Sequence, residues 1–535
     1  MRLSIVGDTA TGAIYFSPYF DGVNDIERMP LMRTDWVEKL LNGEGEFTAD
    51  ACNDLASAVY QPYMPTSGTV EVDVVTPDGT AVEKVTKDYD KAGNIVAKMN
   101  EAGALNGVDA VNMLRTYIDE AYSGYYGTNR ADLFIGQNAA WDADELVALL
   151  RCVVANPQTL NGTDSVQGLF SREDSNNQRR VDLFRFAGTL FGVRGLESRQ
   201  DYLYVGADGT LHDARQESAT YEAMERMHAM VEEGLESKSF VDMSGENSGT
   251  MLENDLGFMS YGYNQTQTIL NETKLQAADG DKYMAVMVPV ARWDDGSGES
   301  YFRFTESWRS VKTDGWGISV AGVGDDVDKL HACLALIDYA YSPEGQILMS
   351  YGPDAFIKEG ETFNFNGQEM PVIADATYEE LWSLASGNYT NYARYYLGST
   401  LSFVKSQAFE YQCTHEVGRE GAAKISNAIA LGTIKHPELA VAENSWYTSV
   451  PTVLPTTKQE NDSISGYTDL TNKFNQNEDG ENILLNQIVN GYTDANMTDA
   501  ATSADYVSKS WSGRQYLALK QDAWTRALSY YETLE

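Results

Sequence analysis

Four stretches place aromatic rings beside hydrogen-bonding groups or in loops: Tyr261-Gly262-Tyr263-Asn264-Gln265, Trp308-Arg309, Trp316 and Asn444-Ser445-Trp446-Tyr447. Sugar recognition needs rings and polar groups together. A pyranose stacks its apolar C–H face on a ring and offers its hydroxyl edge to Asp, Asn, Gln or Arg. Each ring taken singly is better explained by packing; their recurrence is what points to a ligand. Signals for covalent chemistry are weaker. His415-Glu416 is half of a zincin motif, but position 419 is Arg where the second imidazole would stand one turn on. There is no G-x-S-x-G, and the chain has 5 His as candidate bases. Gly322-Val323-Gly324 lacks a third glycine and no P-loop occurs, so nucleotide phosphates have no cradle. Asn475 to Gly480 spaces oxygen donors as a calcium loop does, but Asn486 stands where the bidentate Glu belongs, which favours a solvated loop. Neither a metal nor a cofactor is implied.

The elements that must position these residues read as α/β. Gly12 to Gly22 reads as a short apolar strand that Pro18 places at an edge or end, leading into a Gly turn. Val70, Val72 and Val74 alternate ahead of the Pro77-Asp78-Gly79 turn, and the alternation resumes at Ile95 and Val96, which predicts a hairpin-like insertion followed by a helix near Val108 to Ala121. Asp142 or Asp144 can cap a helix carrying Leu146, Leu149, Leu150 and Val153. Thr220 is expected to cap another with Tyr221, Met224, Met227, Val231 and Leu235 on one stripe, Gly234 lying near its end. Tyr283 to Val290 is an apolar run of strand length, Trp293 to Gly298 a loop, and Gly317 to Val320 a short strand. Val327, Leu330, Leu334, Ile337 and Tyr341 form the sharpest helical stripe, after which Ser342-Pro343 offers an N-cap and a first-position proline. A further helix is expected over Tyr516 to Tyr531.

Composition narrows the classes. The 535 residues amount to about three and a half domains. With 39 basic and 79 acidic residues the net charge is −40, which excludes the basic stripe that nucleic acid requires. Aromatics at 11% argue against intrinsic disorder. Cys52, Cys152, Cys333 and Cys413 show no metal-ligand or disulfide spacing and read as buried small hydrophobes. No run approaches a membrane span. Met1 to Val6 offers neither the apolar core of a secretory signal nor a lipid-bearing Cys.

Several of these segments, in their order, resemble the extracellular solute-binding proteins of bacterial sugar ABC importers, the family of maltose-binding protein, and more closely its long Gram-positive lipoprotein branch. Gly12 to Trp36, with Pro18-Tyr19 and Arg33-Thr34-Asp35-Trp36, is similar to that family's strand through the hinge. Trp141 to Leu146 is similar to a helix opening, Tyr221 to Leu235 to a helix ending in Glu-Gly-Leu, and Tyr341-Ser342-Pro343-Glu344-Gly345-Gln346 with Tyr351-Gly352 to its best-known run. Val450-Pro451, Leu454-Pro455 and Tyr516 to Ala527 fit the C-terminal end. Shorter members have no counterpart to Thr48 to Ala140.

The resemblance implies a two-lobed periplasmic-binding-protein-like fold whose hinge closes on a ligand without catalysis. Tyr19, Phe20 and Asp21 would lie at the hinge mouth, Tyr261 and Tyr263 with Asn264 would replace a Trp-bearing loop, and Trp446 with Tyr447 would be the late sugar-stacking aromatics. Asn177 and Arg179 would fall near a second-lobe loop; Trp308, Arg309 and Trp316 complete the candidate set. The implied division is the start of the chain and first hinge strand (1–47), an insertion (48–140), the first part of the second lobe (141–290), a first-lobe segment (291–355), and mainly second lobe with C-terminal helices (356–535). Family members carry a signal, a lipid-bearing Cys and roughly a hundred residues, about one small domain, before the hinge strand. The expectation is therefore a chain that starts late, with an incomplete first lobe that exposes apolar surface. The implied partners are a carbohydrate and the permease subunits of an importer, and the implied state is a monomer, extracellular and held to the membrane only by a lipid anchor. Rings and amides outnumber arginines at the proposed contacts, favouring a neutral oligosaccharide, although Arg179, Arg303 and Arg309 could pair with an acidic one. Two other classes stay open: a glycoside hydrolase with paired carboxylates and a surface adhesion module with its aromatic loops on a convex face.

Overall fold

The computed structural model describes residues 17–20, 28–170, 178–196, 202–206, 208–237, 248–263, 283–294, 298–305, 311–365, 367–375, 406–413, 416–434, 454, 456–464 and 511–532. Its centre is a four-stranded mixed sheet in which the strands Gln167–Leu169, Gly257–Tyr263, Arg28–Arg33 and Tyr283–Ala285 lie side by side in that order. Strand β2 (Arg28–Arg33) is buried at every residue and lies between β8 (Gly257–Tyr263) and β9 (Tyr283–Ala285), antiparallel to both. Strand β5 (Gln167–Leu169) runs parallel to β8, with Leu169 facing Met259. The chain at Leu235 to Ser237 then pairs with Leu169 on the outer side of β5.

The hairpin of β3 (Thr69–Val75) and β4 (Val82–Asp88) forms as the alternation requires, with Val70, Val72 and Val74 buried and Thr69, Glu71 and Asp73 exposed. Gly79 takes the positive φ of +76° that its turn demands. Ile95 and Val96 do not continue the hairpin. Asn94 accepts hydrogen bonds from the Val96 and Ala97 amides and starts a helix, Ile95–Ala102, so a local cap overrides two β-branched residues. The helix Gly107–Ala121 follows.

Helix Ala143–Val154 is the best specified element. The Asp142 side chain accepts from the Asp144 and Glu145 amides, and the Glu145 side chain returns to the Asp142 amide at 2.9 Å, a complete capping box. Its side chains are buried all round, because Ile95–Ala102 and Gly107–Ala121 pack on it and β5 adjoins it. The helix expected to begin at Thr220 begins at Ser218, leaving Thr220 buried inside it with its hydroxyl donating to the Ala214 carbonyl at 2.7 Å. Gly234 ends that helix at φ +75°.

Farther along, only Tyr283–Ala285 of the run to Val290 is strand; the remaining apolar residues are buried without a ladder. Trp293 lies in a strand, not a loop, in the hairpin of β10 (Ala291–Asp294) and β11 (Glu299–Phe302). Gly317 to Ser319 form no strand, and Val320 begins a one-turn helix capped by Ser319. The helices Val327–Tyr341 and Pro343–Tyr351 form as expected, joined at Ser342, which accepts from the Gly345 amide. Yet the stripe on Val327–Tyr341 is uncovered: Val327 is 59% exposed and Leu334 49%. A smaller core of Leu203, Leu211, Leu454, Tyr516 and Trp524 packs on the C-terminal helix Trp511–Glu532. Among the described residues, no helix is long and apolar enough to cross a membrane.

Candidate functional site

The carboxyl ends of β5 and β8 share one edge of the sheet because the strands are parallel, and β2 begins at that edge with Arg28 opposite Tyr263. In an open α/β sheet the crevice beyond the carboxyl ends is where ligands bind. Phe170, just past β5, lies 6.2 Å from the ring of Tyr283. Tyr261, two residues before the end of β8, is 2% exposed, and its ring sits 5.6 Å from Phe186 of the helix Gln178–Phe191, so it is part of the packed wall beneath the edge. Glu236, on the segment beside Leu169, is buried with neither carboxyl oxygen hydrogen-bonded. Burial alone pushes it well above the usual carboxylate range.

A second element is the ribbon of β1 (Ser17–Phe20) and β12 (Val311–Trp316), antiparallel with Tyr19 opposite Lys312, Phe20 opposite Val311 and Ser17 opposite Trp316. The register shifts between Pro18 and Tyr19, where proline cannot donate to the ladder. Trp316 opens onto a half-open groove of about 530 Å³, which Ile318, Val323, Cys333, Leu336 and Ile337 also line. This groove is apolar and has few groups for a hydroxylated ligand.

A third feature was not legible from spacing. The Tyr63 ring lies beneath two guanidinium groups, Arg226 at 5.1 Å and Arg292 at 5.4 Å. The Tyr63 hydroxyl donates to the Phe191 carbonyl at 2.8 Å and accepts from the Arg292 amide at 3.1 Å. Arg292 is ion-paired with Glu299 across the β10–β11 hairpin. Next to it, Arg194 stacks over Tyr204 at 5.2 Å and over Trp293 and Phe304 at 5.8 Å each. Residues 63, 226 and 292 are too far apart in sequence for any motif to join them; only the fold does.

Of the candidate residues, Tyr19 and Phe20 lie on β1, Tyr261 and Tyr263 on β8, Trp316 at the end of β12, and Arg179 in the helix Gln178–Phe191. Asp21, Asn177, Asn264, Trp308, Arg309, Trp446 and Tyr447 lie outside the described residues, as does the loop Asn475 to Asn486. Arg303 is not available to an acidic ligand. It is 2% exposed, its guanidinium donates to the Ala139 carbonyl and, at 3.2 Å, to that of Asp73, and burial lowers its pKa to about 10.

The fold has solved counterparts. The alginate-binding protein AlgQ2, in a crystal structure without calcium ion, matches over 98% of this chain and 77% of its own, at 15% identity and a TM-score of 0.53. The chain has a two-lobed, periplasmic-binding-protein-like fold. Weaker matches are the S. pneumoniae ABC-transporter substrate-binding protein FusA, as an EF-hand mutant with fructo-nystose (12% identity, 98% and 78% of the two chains, TM-score 0.48), and an extracellular solute-binding protein from Bifidobacterium longum subsp. infantis (12%, 98% and 78%, 0.46). No protein-family model and no curated protein sequence matches the chain.

Proposed function

We propose that the chain captures a carbohydrate, an oligosaccharide by the number of rings and amides, and delivers it to the permease subunits of an ABC importer without altering it. The observation that carries this reading is the fold shared with AlgQ2, a protein whose name describes alginate binding. Closure about the ribbon that holds Tyr19, Phe20 and Trp316 would select a closed state when a ligand touches both lobes. In this reading the ligand set is Tyr19, Phe20, Asp21, Asn177, Arg179, Tyr263, Asn264, Trp308, Arg309, Trp316, Trp446 and Tyr447, with Tyr261 supporting it from the packed wall beneath. Residues 291–355 belong to the first lobe, on which the stripe at Val327 and Leu334 is exposed. The protein would work outside the cell, as a monomer held by a lipid anchor.

The test is a thermal-shift panel of neutral and uronic-acid oligosaccharides with analysis of the recovered sugar. A saturable rise in melting temperature, about 2.7 kcal/mol of stabilisation at a hundred times Kd, with the sugar intact, supports capture. Cleaved sugar overturns it in favour of a hydrolase. No shift with any sugar, in a preparation shown to be folded, overturns the ligand class.

A further inference from the structure

The N-terminus of the helix Ala143–Val154 carries a fully buried cluster that sugar capture does not use. Two carboxyl groups, Asp142 and Glu145, meet one ammonium, Lys87 of β4, and a third, Asp144, is buried beside them. Lys87 Nζ lies 2.7 Å from Asp142 Oδ2 and 3.0 Å from Glu145 Oε2. If every acid were ionised, the cluster would hold two uncompensated negative charges out of water, which the helix N-terminus offsets only in part.

The donors decide which acid can take up a proton. Asp144 accepts from the Tyr63 amide at 2.9 Å, the Met64 amide at 2.8 Å, Asn94 Nδ2 at 2.7 Å and the Tyr60 hydroxyl at 3.2 Å. Both its oxygens face N–H groups that cannot reverse. Asp142 is occupied by Lys87, by the Asp144 and Glu145 amides at 3.0 Å each, and by the Tyr89 hydroxyl at 3.3 Å. Glu145 Oε2 faces Lys87 and, at 2.9 Å, the Asp142 amide. Glu145 Oε1 differs: it meets two phenol hydroxyls, Tyr117 at 3.0 Å and Tyr122 at 2.5 Å. A hydroxyl can turn and accept, so this is the one carboxyl oxygen of the cluster whose partners tolerate a proton. Burial and the charge of Glu145 hold both phenols well above their usual range, so they remain neutral hydroxyls. The remaining titratable or charged neighbours are Tyr126, Tyr301 and Arg303, with Arg226 over the Tyr60 ring at 5.8 Å on the Asp144 side.

We propose that Glu145 is a proton-binding switch, holding the proton on Oε1 between Tyr117 and Tyr122, and that it couples the docking of the β3–β4 hairpin on this helix to pH. Burial, and then the neighbouring Asp142, push Glu145 up to about 7, against a rise to about 6 for Asp144. A carboxyl raised in this way stabilises the fold fully below its unfolded value of 4.5, and the contribution is lost as pH rises through about 7.

The test compares the whole chain with Glu145→Gln from pH 4.5 to 8.5. The amide is isosteric with the protonated acid: its NH2 can donate to the phenols while its oxygen accepts from Lys87 and the Asp142 amide. Relative to the variant, the wild type should gain stability toward acid with a slope of one proton, about tenfold in the unfolding constant per pH unit, and the gain should level off above neutrality. The infrared spectrum at pH 6 should show a protonated-carboxyl C=O band that is lost in Glu145→Gln and shifted in Tyr122→Phe, a readout that survives should one variant not fold. Parallel pH profiles for wild type and Glu145→Gln, or a carboxyl band unmoved by either substitution, would overturn the proposal.

Discussion

The two helices with the strongest sequence signals, Ala143–Val154 and Val327–Tyr341, meet opposite fates. The first buries even its charged residues, and each is tied: Asp142 and Glu145 to Lys87, Asp144 to the 60–64 segment and Asn94, Arg151 to Glu233 at 2.8 Å. The Glu233 carboxylate in turn accepts from the Val59 and Tyr60 amides at 2.7 Å each, so one ion pair fastens a whole strap of chain. The second leaves apolar residues in solvent, Val327, Leu334 and Leu336 all near or above half exposure, and buries only Ala340. An apolar stripe encodes a capacity to be covered; whether it is covered depends on what the rest of the assembly brings to it. Fully burying a Leu side chain is worth about 1.5–3 kcal/mol, and this helix realises only part of that at each position. It should therefore open before the body of the molecule does.

The largest test of this contrast is Lys87→Met. Removing the ammonium leaves Asp142 and Glu145 without a counter-charge, and the loss should be about 3–5 kcal/mol, read from the denaturant midpoint. A loss under about 1 kcal/mol would mean that the cluster is wetter than it looks. A matched pair sharpens the comparison: Leu150→Ala, at a fully buried position, should cost about 2–5 kcal/mol, whereas Leu334→Ala should stay within about 0.5 kcal/mol. If Leu334→Ala costs as much as Leu150→Ala, the stripe is covered in solution. Ser342→Ala tests a single local contact. It removes the cap that accepts from the Gly345 amide at 3.0 Å and should cost about 1 kcal/mol, visible as faster amide exchange in Pro343–Tyr351 alone.

What could be read from the sequence divides along the same line. The caps at Asp142 and Ser342, the β3–β4 alternation and the turn at Gly79 are set by residues within a few positions of one another, and they formed as read. Ile95 and Val96 misled because their side chains favour strand while the deciding residue, Asn94, sits just before them. The partners of Lys87 stand 55 and 58 positions away, so nothing near Lys87 marks it as buried. At the candidate site, the strand character of Tyr19 and Phe20 was legible because Pro18 and the apolar run are local. The stacking of Arg226 and Arg292 on Tyr63 was not, since tertiary packing alone joins them. Arg303 read as a free cation because sequence cannot show that two backbone carbonyls already hold it.

The placement of β2 bears on how the molecule is made. This strand is near the start of the chain, yet its partners begin at Gly257, and Leu31 must wait for Ser260 and Ala285. At about 5–20 residues per second, the ribosome delivers those partners roughly 10–50 seconds after β2 emerges. The helices between residues 89 and 154 have local contacts and can form in that interval. Throughout it, an apolar strand is left with both edges open, the kind of exposed edge that invites pairing with another chain.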